Sequence, residues 1–368
     1  MNVRASGRVD PSDAARRVTI DDVAARAGVS TATVSRVLSG ISRGRPPTRE
    51  RVLSAARDLD YRPSGVARSL KMRTTHTLGL LVTDIQNPFF PELVRAIEDR
   101  AHEHGYALLL GNGAEDPERE AAYLELLASQ RVDGVLIAAT SLPERHARWL
   151  MRATIPTVLV NCQIADGSLP AALSDNRNGG RLAAEHLLGL GHRAFGVISV
   201  SNGDPAGEER ERGVSDALAA AGLDLEALSV AAGDSHVQGG EAAMQELLVD
   251  RPGLTAIVCY NDLMAIGALR ALRAAGGRVP ADVSVIGFDD IDLAAYAEPP
   301  LTTIAQDTTA LGRWAVDRLL GSIRAAREGR ADEPLRVVRV PVRLVVRAST
   351  GRAATARAPT ESPGLAAS

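Results

Sequence analysis

Two kinds of hydrophobic pattern divide the chain into a short front part and a long body. From Val18 to Leu59, apolar residues recur at intervals of three and four, a pattern typical of short amphipathic helices. From Thr77 onward, short runs of aliphatic and β-branched residues alternate with amphipathic helical segments. That alternation is typical of parallel strands covered by helices on both faces. The pattern therefore predicts a helical head followed by an α/β body.

The segment VTIDDVAARAGVSTATVSRVL, residues 18–38, predicts two short helices joined by a sharp turn. Thr19 precedes Asp22 by three residues, which is the spacing of an N-terminal cap. Gly28 permits the left-handed backbone that the turn needs, and Ser30 is placed to cap the second helix. The residues of the second helix predicted to face the core are Val34, Val37 and Leu38.

The polar face of the second helix suits the major groove of DNA. An α-helix fits that groove, and the guanidinium of Arg36 can donate two hydrogen bonds to a guanine edge. The alternative interpretation is an ordinary corner between two helices of a larger helical domain. The candidate DNA-contacting residues of this helix are Thr31, Ala32, Thr33, Ser35 and Arg36.

A third helix is predicted from about Thr48 to Leu59. It ends before Tyr61-Arg62-Pro63, because proline disfavours helix in the residue that precedes it. Its predicted core residues are Val52, Leu53, Ala56 and Leu59.

The next stretch, SGVARSLK at residues 64–71, predicts a short, weakly capped hinge helix. So short a helix is marginal alone in water, and bent DNA is a candidate for the partner that orders it. Leu70 beside Lys71 resembles the apolar wedge, flanked by cations, with which minor-groove binders kink a duplex. The alternative interpretation is a plain interdomain linker.

The charge is divided unevenly between the two parts. Residues 1–76 contain 14 Arg, one Lys and seven acidic residues, a net charge of +8, whereas the remainder carries −11. A basic front part on an acidic body is typical of a nucleic-acid-binding module attached to another domain. Basic tails are also often merely solvated, so the charge supports the DNA-binding interpretation without deciding it.

The composition also indicates the compartment. No stretch approaches the roughly 18 uninterrupted apolar residues of a membrane span, and residues 1–17 are polar, unlike a signal peptide. Cys162 and Cys259 are isolated, which fits a reducing compartment and not a disulfide framework or a metal site. We therefore expect a cytoplasmic protein, not an exported solute-binding protein.

The apolar runs of the body are too numerous for one sheet of ordinary size. They predict two Rossmann-like halves, divided near Leu190 and crossed again around Ile304. Residues 348–368 are rich in Ala, Thr, Pro and Ser, and we expect them to be a disordered tail without a coiled coil. The predicted strands are TLGLLVT, YALLLG, GVLIAA, TVLV, AFGVISV, TAIVCY, VSVIGF, TTIA and RLVV.

Several motifs, in one order, resemble repressors of the LacI/GalR family. They are TIDDVAARAGVSTATVSRVL, YRPSGVARSLK, RVDGVLI, GHRAFGVI, NDLMAIGAL, VPADVSVIGFDD and PPLTTIAQD, and the hinge most resembles the purine-repressor branch. The resemblance implies a two-lobed body around a cleft, as in periplasmic sugar-binding proteins. The residues that it places at base edges are Thr31, Ala32 and Arg36, and those that it places in the minor groove are Ala67, Leu70 and Lys71.

Polar residues just past the predicted strands are candidates for effector binding, because open α/β sheets bind ligands at the carboxyl ends of their strands. Arg210 would supply a cation on the opposite side of the predicted binding site. Such a set suits a small polyhydroxylated or heterocyclic molecule. Each residue has a structural alternative, since Asp and Asn cap helices and Phe packs in cores. The candidates are Asp84, Asn87, Phe89, Phe90, Arg210, Asn261, Asp289 and Gln306, and all but Asp84 and Phe90 match effector-contacting positions by resemblance.

Three places depart from the family pattern or remain open. After Gly233-Asp234, relatives often have an aromatic residue that stacks on the effector, but this chain has Ser235 and His236, which puts a purine in doubt. We interpret His236 as an exposed surface histidine, with a hydrogen-bonding role as the alternative. Asn178 either lies near the cleft or belongs to a helix cap. The loop at residues 42–47, SRGRPP, either adds phosphate contacts or is a solvated connection, which we favour slightly.

Enzyme classes fit the sequence less well. A P-loop is excluded because Lys71, the one lysine, has no such motif around it, and the HExxH motif of zinc proteases does not occur. Paired acids of a glycosidase stay open, since their distance depends on tertiary structure, but a DNA module argues against them. We therefore expect no catalytic residue, metal or cofactor.

The predicted protein is a homodimeric transcription repressor that binds a near-palindromic operator and is controlled by a small-molecule effector, a sugar or related metabolite. The predicted domains are a disordered tail (1–17), a helix-turn-helix domain (18–63), a hinge helix and linker (64–76), a two-lobed effector-binding and dimerisation domain (77–347) and a second tail (348–368).

Overall fold

A computed structural model divides the chain into two compact units, residues 1–75 and 76–368. We call the first the head and the second the body. The hinge residues Ala67, Leu70 and Lys71 lie outside the described residues, as do residues 1–17 and 354–368. The described residues are 18–38, 45–61, 74–139, 146, 149–150, 155–164, 167–200, 204–224, 228–334 and 336–353.

The head is built as the hydrophobic pattern predicts. Thr19 and Asp22 form a reciprocal capping box at the start of the first helix, and Gly28 ends it with a left-handed φ of 64°. The hydroxyl of Ser30 accepts a hydrogen bond from the Thr33 backbone N–H at 3.3 Å, which caps the second helix. The three helices are α1 (Ile20–Ala27), α2 (Thr31–Leu38) and α3 (Pro46–Asp58).

One predicted core residue of α3 is wrong. Leu53 is 36% exposed, whereas Val52, Ala55 and Ala56 are buried against the other two helices. At 3.6 residues per turn, positions three, four and seven after Val52 share its face, so Leu53 lies on the flank. The helix also begins earlier than expected, because Pro46 at its first turn needs no backbone N–H donor.

The body consists of two lobes, each built on a six-stranded sheet. Lobe 1 has the strand order β11-β5-β4-β3-β1-β2, and its pairs are parallel. Its elements are β1 (Thr77–Val82), α4 (Phe89–Glu103), β2 (Ala107–Asn112), α5 (Pro117–Ser129), β3 (Gly134–Ala138), β4 (Thr157–Val160), β5 (Ala171–Ser174), α11 (Thr308–Glu328) and β11 (Val337–Val340).

Lobe 2 repeats this plan with the strand order β12-β10-β9-β8-β6-β7, in which only β12 is antiparallel to its neighbour among the described pairs. Its elements are α6 (Asn176–Gly189), β6 (Phe195–Val200), α7 (Pro205–Ala220), β7 (Ser229–Gly233), α8 (Val237–Asp250), β8 (Ala256–Cys259), α9 (Asp262–Ala274), β9 (Ser284–Asp289), α10 (Asp292–Tyr296), β10 (Thr302–Ala305) and β12 (Arg343–Val345).

The described chain passes between the lobes at three places. It crosses after β5 at Asp175, after β10 at Gln306, and between β11 and β12 at Pro341. The crossing after Ile304 was predicted. The division near Leu190 was wrong, because α6 packs against α7 and β10 and therefore belongs to lobe 2. The third crossing was not predicted.

Three strands escaped the hydrophobic pattern. β5 and β7 have the sequences AALS and SVAAG, whose small side chains give no strong apolar run. β7 and β11 lie at sheet ends, where Val230 and Val337 are exposed, so neither has the continuous apolar run of a strand buried on both faces.

The body extends past the predicted boundary at residue 347. Ser349 is buried, and its hydroxyl donates to the Val285 carbonyl at 2.6 Å and accepts from the Thr302 N–H at 2.8 Å. Farther on, the Ala353 N–H donates to the Leu190 carbonyl at 3.0 Å. Residues 348–353 therefore belong to lobe 2, and the predicted tail is wrong for this part.

Within the described ranges, no helix has the length and hydrophobicity needed to cross a bilayer. Across the same ranges, no three His, Cys, Asp or Glu side chains are grouped to hold a metal ion. Cys162 and Cys259 are both free and buried.

Close packing of α6 on α7 depends on glycine. A Cβ at Gly180 would lie 2.0 Å from the backbone oxygen of Arg210, and one at Gly213 would lie 1.9 Å from the backbone oxygen of Arg177. Since backbone cannot give way as a flexible side chain can, these glycines fix the distance between the helices and the position of Arg210.

We predict that Gly180→Ala destabilises the body by about 1–3 kcal/mol, the usual cost of overpacking. Gly189→Ala is the matched control, because it lies on the same helix with nothing within 4 Å of its would-be Cβ. The control should be neutral or gain up to about 1 kcal/mol, as alanine favours helix over glycine. Urea unfolding followed by circular dichroism measures both, and equal stabilities of the two variants would contradict the packing argument.

Candidate functional site

The head presents the predicted DNA-contacting residues on one helix. Thr31, Ala32 and Arg36 are exposed on α2, whereas Thr33 and Ser35 are half-buried. The Thr33 hydroxyl lies 3.0 Å from that of Ser30, so it takes part in the cap. The Arg36 Nε donates to the Ala32 carbonyl at 3.2 Å, which leans the guanidinium along the helix surface.

A chain of buried hydrogen bonds lies where two crossings meet. The Ser174 hydroxyl, at the end of β5 in lobe 1, donates to the Gln306 side-chain oxygen. The Gln306 amide donates to the Asp289 carboxylate, at the end of β9 in lobe 2, at 2.6 Å. All three side chains are buried. Gln306 therefore joins the two lobes through its two ends.

Asp289 is held in an unusual state. Burial raises the pKa of its carboxyl to about 7, although Arg210 and the Gln306 amide act in the opposite direction. Its backbone has a φ of 121°, and Asp290 follows with a φ of 62°. Such values cost free energy for non-glycine residues and concentrate at functional sites.

Asp290 fastens this turn to the rest of lobe 2. Its carboxylate accepts from Arg347 at 2.6 Å, and Arg347 also donates to the Leu301 carbonyl at 2.8 Å. The pair fixes the backbone from which the Asp289 side chain projects.

Arg210 packs beside Asp289 in a mostly aromatic environment. It is 6% exposed, and its guanidinium carbon lies 3.6 Å from the centre of the Phe288 ring and 4.7 Å from that of Tyr260. Its Nη1 donates to the Tyr260 carbonyl at 2.5 Å, and its Nε donates to the Asn176 side-chain oxygen at 2.9 Å. Arg210 lies in lobe 2 with Asp289, whereas Asp84 lies in lobe 1.

Asn176 was missed by sequence reasoning, which named Asn178. The Asn178 side-chain oxygen instead accepts from Arg181 at 2.6 Å, and its N–H donates to the Asp175 cap at 3.3 Å. Both asparagines lie in the motif DNRNGG, and helical spacing alone did not indicate which one meets Arg210.

Asn261 begins α9 and connects it to the loop after β7. Its side-chain oxygen accepts from the Met264 N–H at 2.8 Å, and its amide donates to the Ser235 carbonyl at 2.9 Å. The capping alternative is therefore present in the structure, and a contact with an effector stays a prediction.

The lobe 1 candidates divide into a carboxylate and a packed group. Asp84 follows β1 and is buried. The Asn87 side-chain oxygen accepts from the Phe89 N–H at 3.1 Å, at the start of α4. Phe89 and Phe90 are each 3% exposed and meet edge to face at 5.3 Å. Their burial favours the core alternative for both rings, and their effector role stays a prediction.

His236 is not the surface histidine that we expected. Its side chain is 33% exposed, and its Nε2 lies 3.3 Å from the Asp84 Oδ2 in the opposite lobe. Sequence reasoning missed the pair because the partners are 152 positions apart.

Comparison with known proteins agrees with this architecture. Residues 19–64 match the model for bacterial regulatory proteins of the lacI family, and residues 75–348 match the model for periplasmic binding proteins and the sugar-binding domain of the LacI family. The chain belongs to the LacI family. It is a DNA-binding transcriptional regulator in which α1–α3 form the DNA-binding domain and the body binds the effector in the cleft between its lobes.

Individual LacI-family relatives are similar over most of their length. The chain is 38% identical to a Photobacterium profundum protein named HTH-type transcriptional repressor PurR, over 90% of this chain and 98% of that one. A Lac repressor dimer bound to operator and the anti-inducer ONPF matches with a TM-score of 0.80 at 30% identity, over 91% of this chain and 100% of that one. An Enterococcus faecium LacI-family regulator with bound ribose matches with a TM-score of 0.67 at 32% identity, over 75% and 99%.

We predict that Arg36→Ala relaxes the base preference of the regulator. Loss of a bidentate contact should cost about 1–3 kcal/mol at one base pair and little at its other variants. Arg57→Ala is the control, since Arg57 is an exposed arginine in the last turn of α3 and not on α2. Affinities for a panel of operator variants measure the effect, and an unchanged preference would remove Arg36 from direct base recognition.

Proposed function

We propose that this regulator is a cytoplasmic homodimer that represses transcription from a near-palindromic operator. Two heads would occupy the two half-sites, because a twofold protein matches a twofold DNA sequence. Phosphate contacts would supply most of the affinity, and α2 would supply the sequence preference. The relative named a transcriptional repressor and the Lac repressor dimer on operator DNA support this assembly.

We propose that the effector is a sugar or a related polyhydroxylated metabolite. One observation carries this proposal: Arg210 and Asp289 each keep a polar atom unused. Among the described residues, none hydrogen-bonds to Arg210 Nη2 or to Asp289 Oδ2, whereas their other polar side-chain atoms have partners. A hydroxyl both donates and accepts, so it satisfies such a pair. The ribose-bound relative supports the same class.

The hydrogen bond of Asp289 to Gln306, at a crossing between the lobes, suggests how the effector acts. A ligand that bonds to Asp289 also acts on Gln306 and, through it, on Ser174 of lobe 1. Binding then favours one arrangement of the lobes by its difference in affinity for the two. A coupling of about 1–3 kcal/mol changes operator affinity roughly 5- to 150-fold.

A purine is the alternative effector, favoured by the relative named PurR. Against it stands the loop after β7, where Ser235 and His236 replace the aromatic side chain. His236 also pairs with Asp84 and is therefore not free to stack. A response to purine bases with none to sugars would establish this alternative.

We do not propose an enzyme. The relatives are transcriptional repressors, and Asp289 is engaged with the amide of Gln306 at the hinge. Hydrolysis of a glycoside by the purified protein would overturn this.

We predict that Asp289→Asn and Asp289→Ala abolish the effector response while operator binding stays intact. The measurement is a thermal-shift screen of sugars, polyols, nucleosides and purine bases against the full chain, followed by operator titration with the best ligand. Asp292→Ala is the control, because Asp292 is exposed in α10. A response retained in both Asp289 variants would place the effector elsewhere.

We also predict that Leu70→Ala weakens operator binding far more than it weakens effector binding. The reason is the proposed minor-groove wedge, whose removal also removes the contact that kinks the duplex. Fluorescence anisotropy with operator DNA and a thermal shift with the effector measure the two losses. Equal losses would reject the wedge.

A further inference from the structure

We propose that His236 and Asp84 form an ion pair between the lobes that exists only while His236 is an imidazolium, so that the cleft closes or opens with pH. We call it the interlobe ion pair. The inference concerns the body alone and does not depend on which effector binds.

Hydrogen-bonding rules determine the charge of His236. Its Nδ1 lies 2.7 Å from the Asp234 carbonyl oxygen, and its Nε2 lies 3.3 Å from the Asp84 Oδ2. A carbonyl oxygen and an ionised carboxylate can only accept, so each ring nitrogen must carry a proton. A neutral imidazole carries one proton and can satisfy only one partner. With Asp84 ionised, both contacts are hydrogen bonds only when the ring is doubly protonated.

The loop that carries His236 is held in place. Ser235 has a left-handed φ of 70°, and its carbonyl accepts from Asn261 at 2.9 Å. The His236 N–H donates to the Asp234 side chain at 3.0 Å. On the other lobe, Asp84 Oδ1 accepts from the Gln86 N–H at 3.0 Å. Both partners of the ion pair are thus fixed on their own lobes, and contact between them constrains the lobes.

The position of the interlobe ion pair gives it leverage over the cleft. The three crossings leave from β5, β10 and β11, which lie toward one end of their sheets. Asp84 follows β1 and His236 follows β7, toward the opposite ends. The crossings act as hinges, so a contact on the far side resists their opening.

A second contact between the lobes lies on the hinge side. Arg339 of β11 donates two hydrogen bonds to Glu209 of α7, at 2.8 and 2.9 Å. An arginine stays charged at any pH relevant here, so this contact does not depend on protonation of its cation. Only on the far side does the bridging cation titrate near neutral pH.

The charged groups around His236 are all acidic and favour its protonated form. Burial lowers the pKa of His236. The hydrogen bonds to Asp234 and Asp84 and the negative charges of Glu115 and Asp234 raise it by more, so the pKa is raised overall. Glu115 comes from the loop after β2 in lobe 1. Because the folded protein stabilises the imidazolium form, the pKa of His236 is raised. The attraction between His236 and Asp84 is therefore fully present below the ordinary histidine pKa of about 6.5, and it is lost as pH rises through the raised pKa.

Lobe separation in the full chain tests the proposal. Spin labels on Glu125→Cys of α5 and Gln245→Cys of α8, both exposed sites, report the distance across the cleft by double electron–electron resonance. Burial raises the pKa of the native Cys162 thiol to about 12 and raises that of Cys259 as well, so neither competes for the label. Measurements at about pH 5.5 and about pH 8.5 bracket the ordinary histidine pKa of about 6.5.

The doubly labelled protein with His236 and Asp84 intact should give a short distance between the labels at the lower pH. At the higher pH the distance should shift to longer values. Asp84→Asn and His236→Gln should remove the shift and give the longer distance throughout. His236→Arg keeps a cation at every pH and should give the short distance at both values. His102→Gln, a change of an exposed histidine on α4, is the control and should leave the shift unchanged.

Two results would overturn the proposal. One is a distance distribution that is the same at both pH values in the labelled protein with His236 and Asp84 intact. The other is a pH-dependent shift that persists in a folded Asp84→Asn or His236→Gln protein, with folding checked by circular dichroism.

Discussion

The amide of Gln306 is the interaction on which the body depends. Its oxygen accepts from Ser174 in lobe 1, and its nitrogen donates to Asp289 in lobe 2. Because all three side chains are buried, none can turn to water, and an unmade hydrogen bond there is costly. The Asp289 carboxylate is thus tied to the segment where the chain crosses between the lobes. If the effector binds at Asp289 as proposed, it acts on that crossing as well.

The two sides of the cleft therefore have different characters. On the side of the crossings, the covalent connections and the Arg339–Glu209 pair join the lobes, and the cation of that pair does not titrate near neutral pH. On the far side, the proposed interlobe ion pair depends on a proton at His236. Together with the effector proposed to bind at Asp289, it would give the body two inputs that bias the same arrangement of the lobes. Their effects on operator affinity are then coupled through one equilibrium.

Local patterns predicted much of this molecule. The capping box at Thr19, the turn at Gly28 and most strands follow from short-range rules. The positions after strands also singled out Asp84 and Asp289, whose role in effector binding stays a prediction. The predictions failed where tertiary partners decide. Small side chains concealed β5 and β7, and exposure at the end of a sheet concealed β11. The first crossing was misplaced because α6 packs on α7 in lobe 2. The His236–Asp84 and Arg210–Asn176 pairs join distant positions, for which neither periodicity nor spacing gives a signal.

The central claim is that the head reads duplex sequence under the control of the body. Selection of random duplex DNA by the purified full-length protein, at near-physiological salt, tests it most directly. The account predicts enrichment of one near-palindromic sequence whose two halves lie about one helical turn apart. If the selected pool showed no preference over random DNA, with or without metabolites that stabilise the body, the claim would be contradicted.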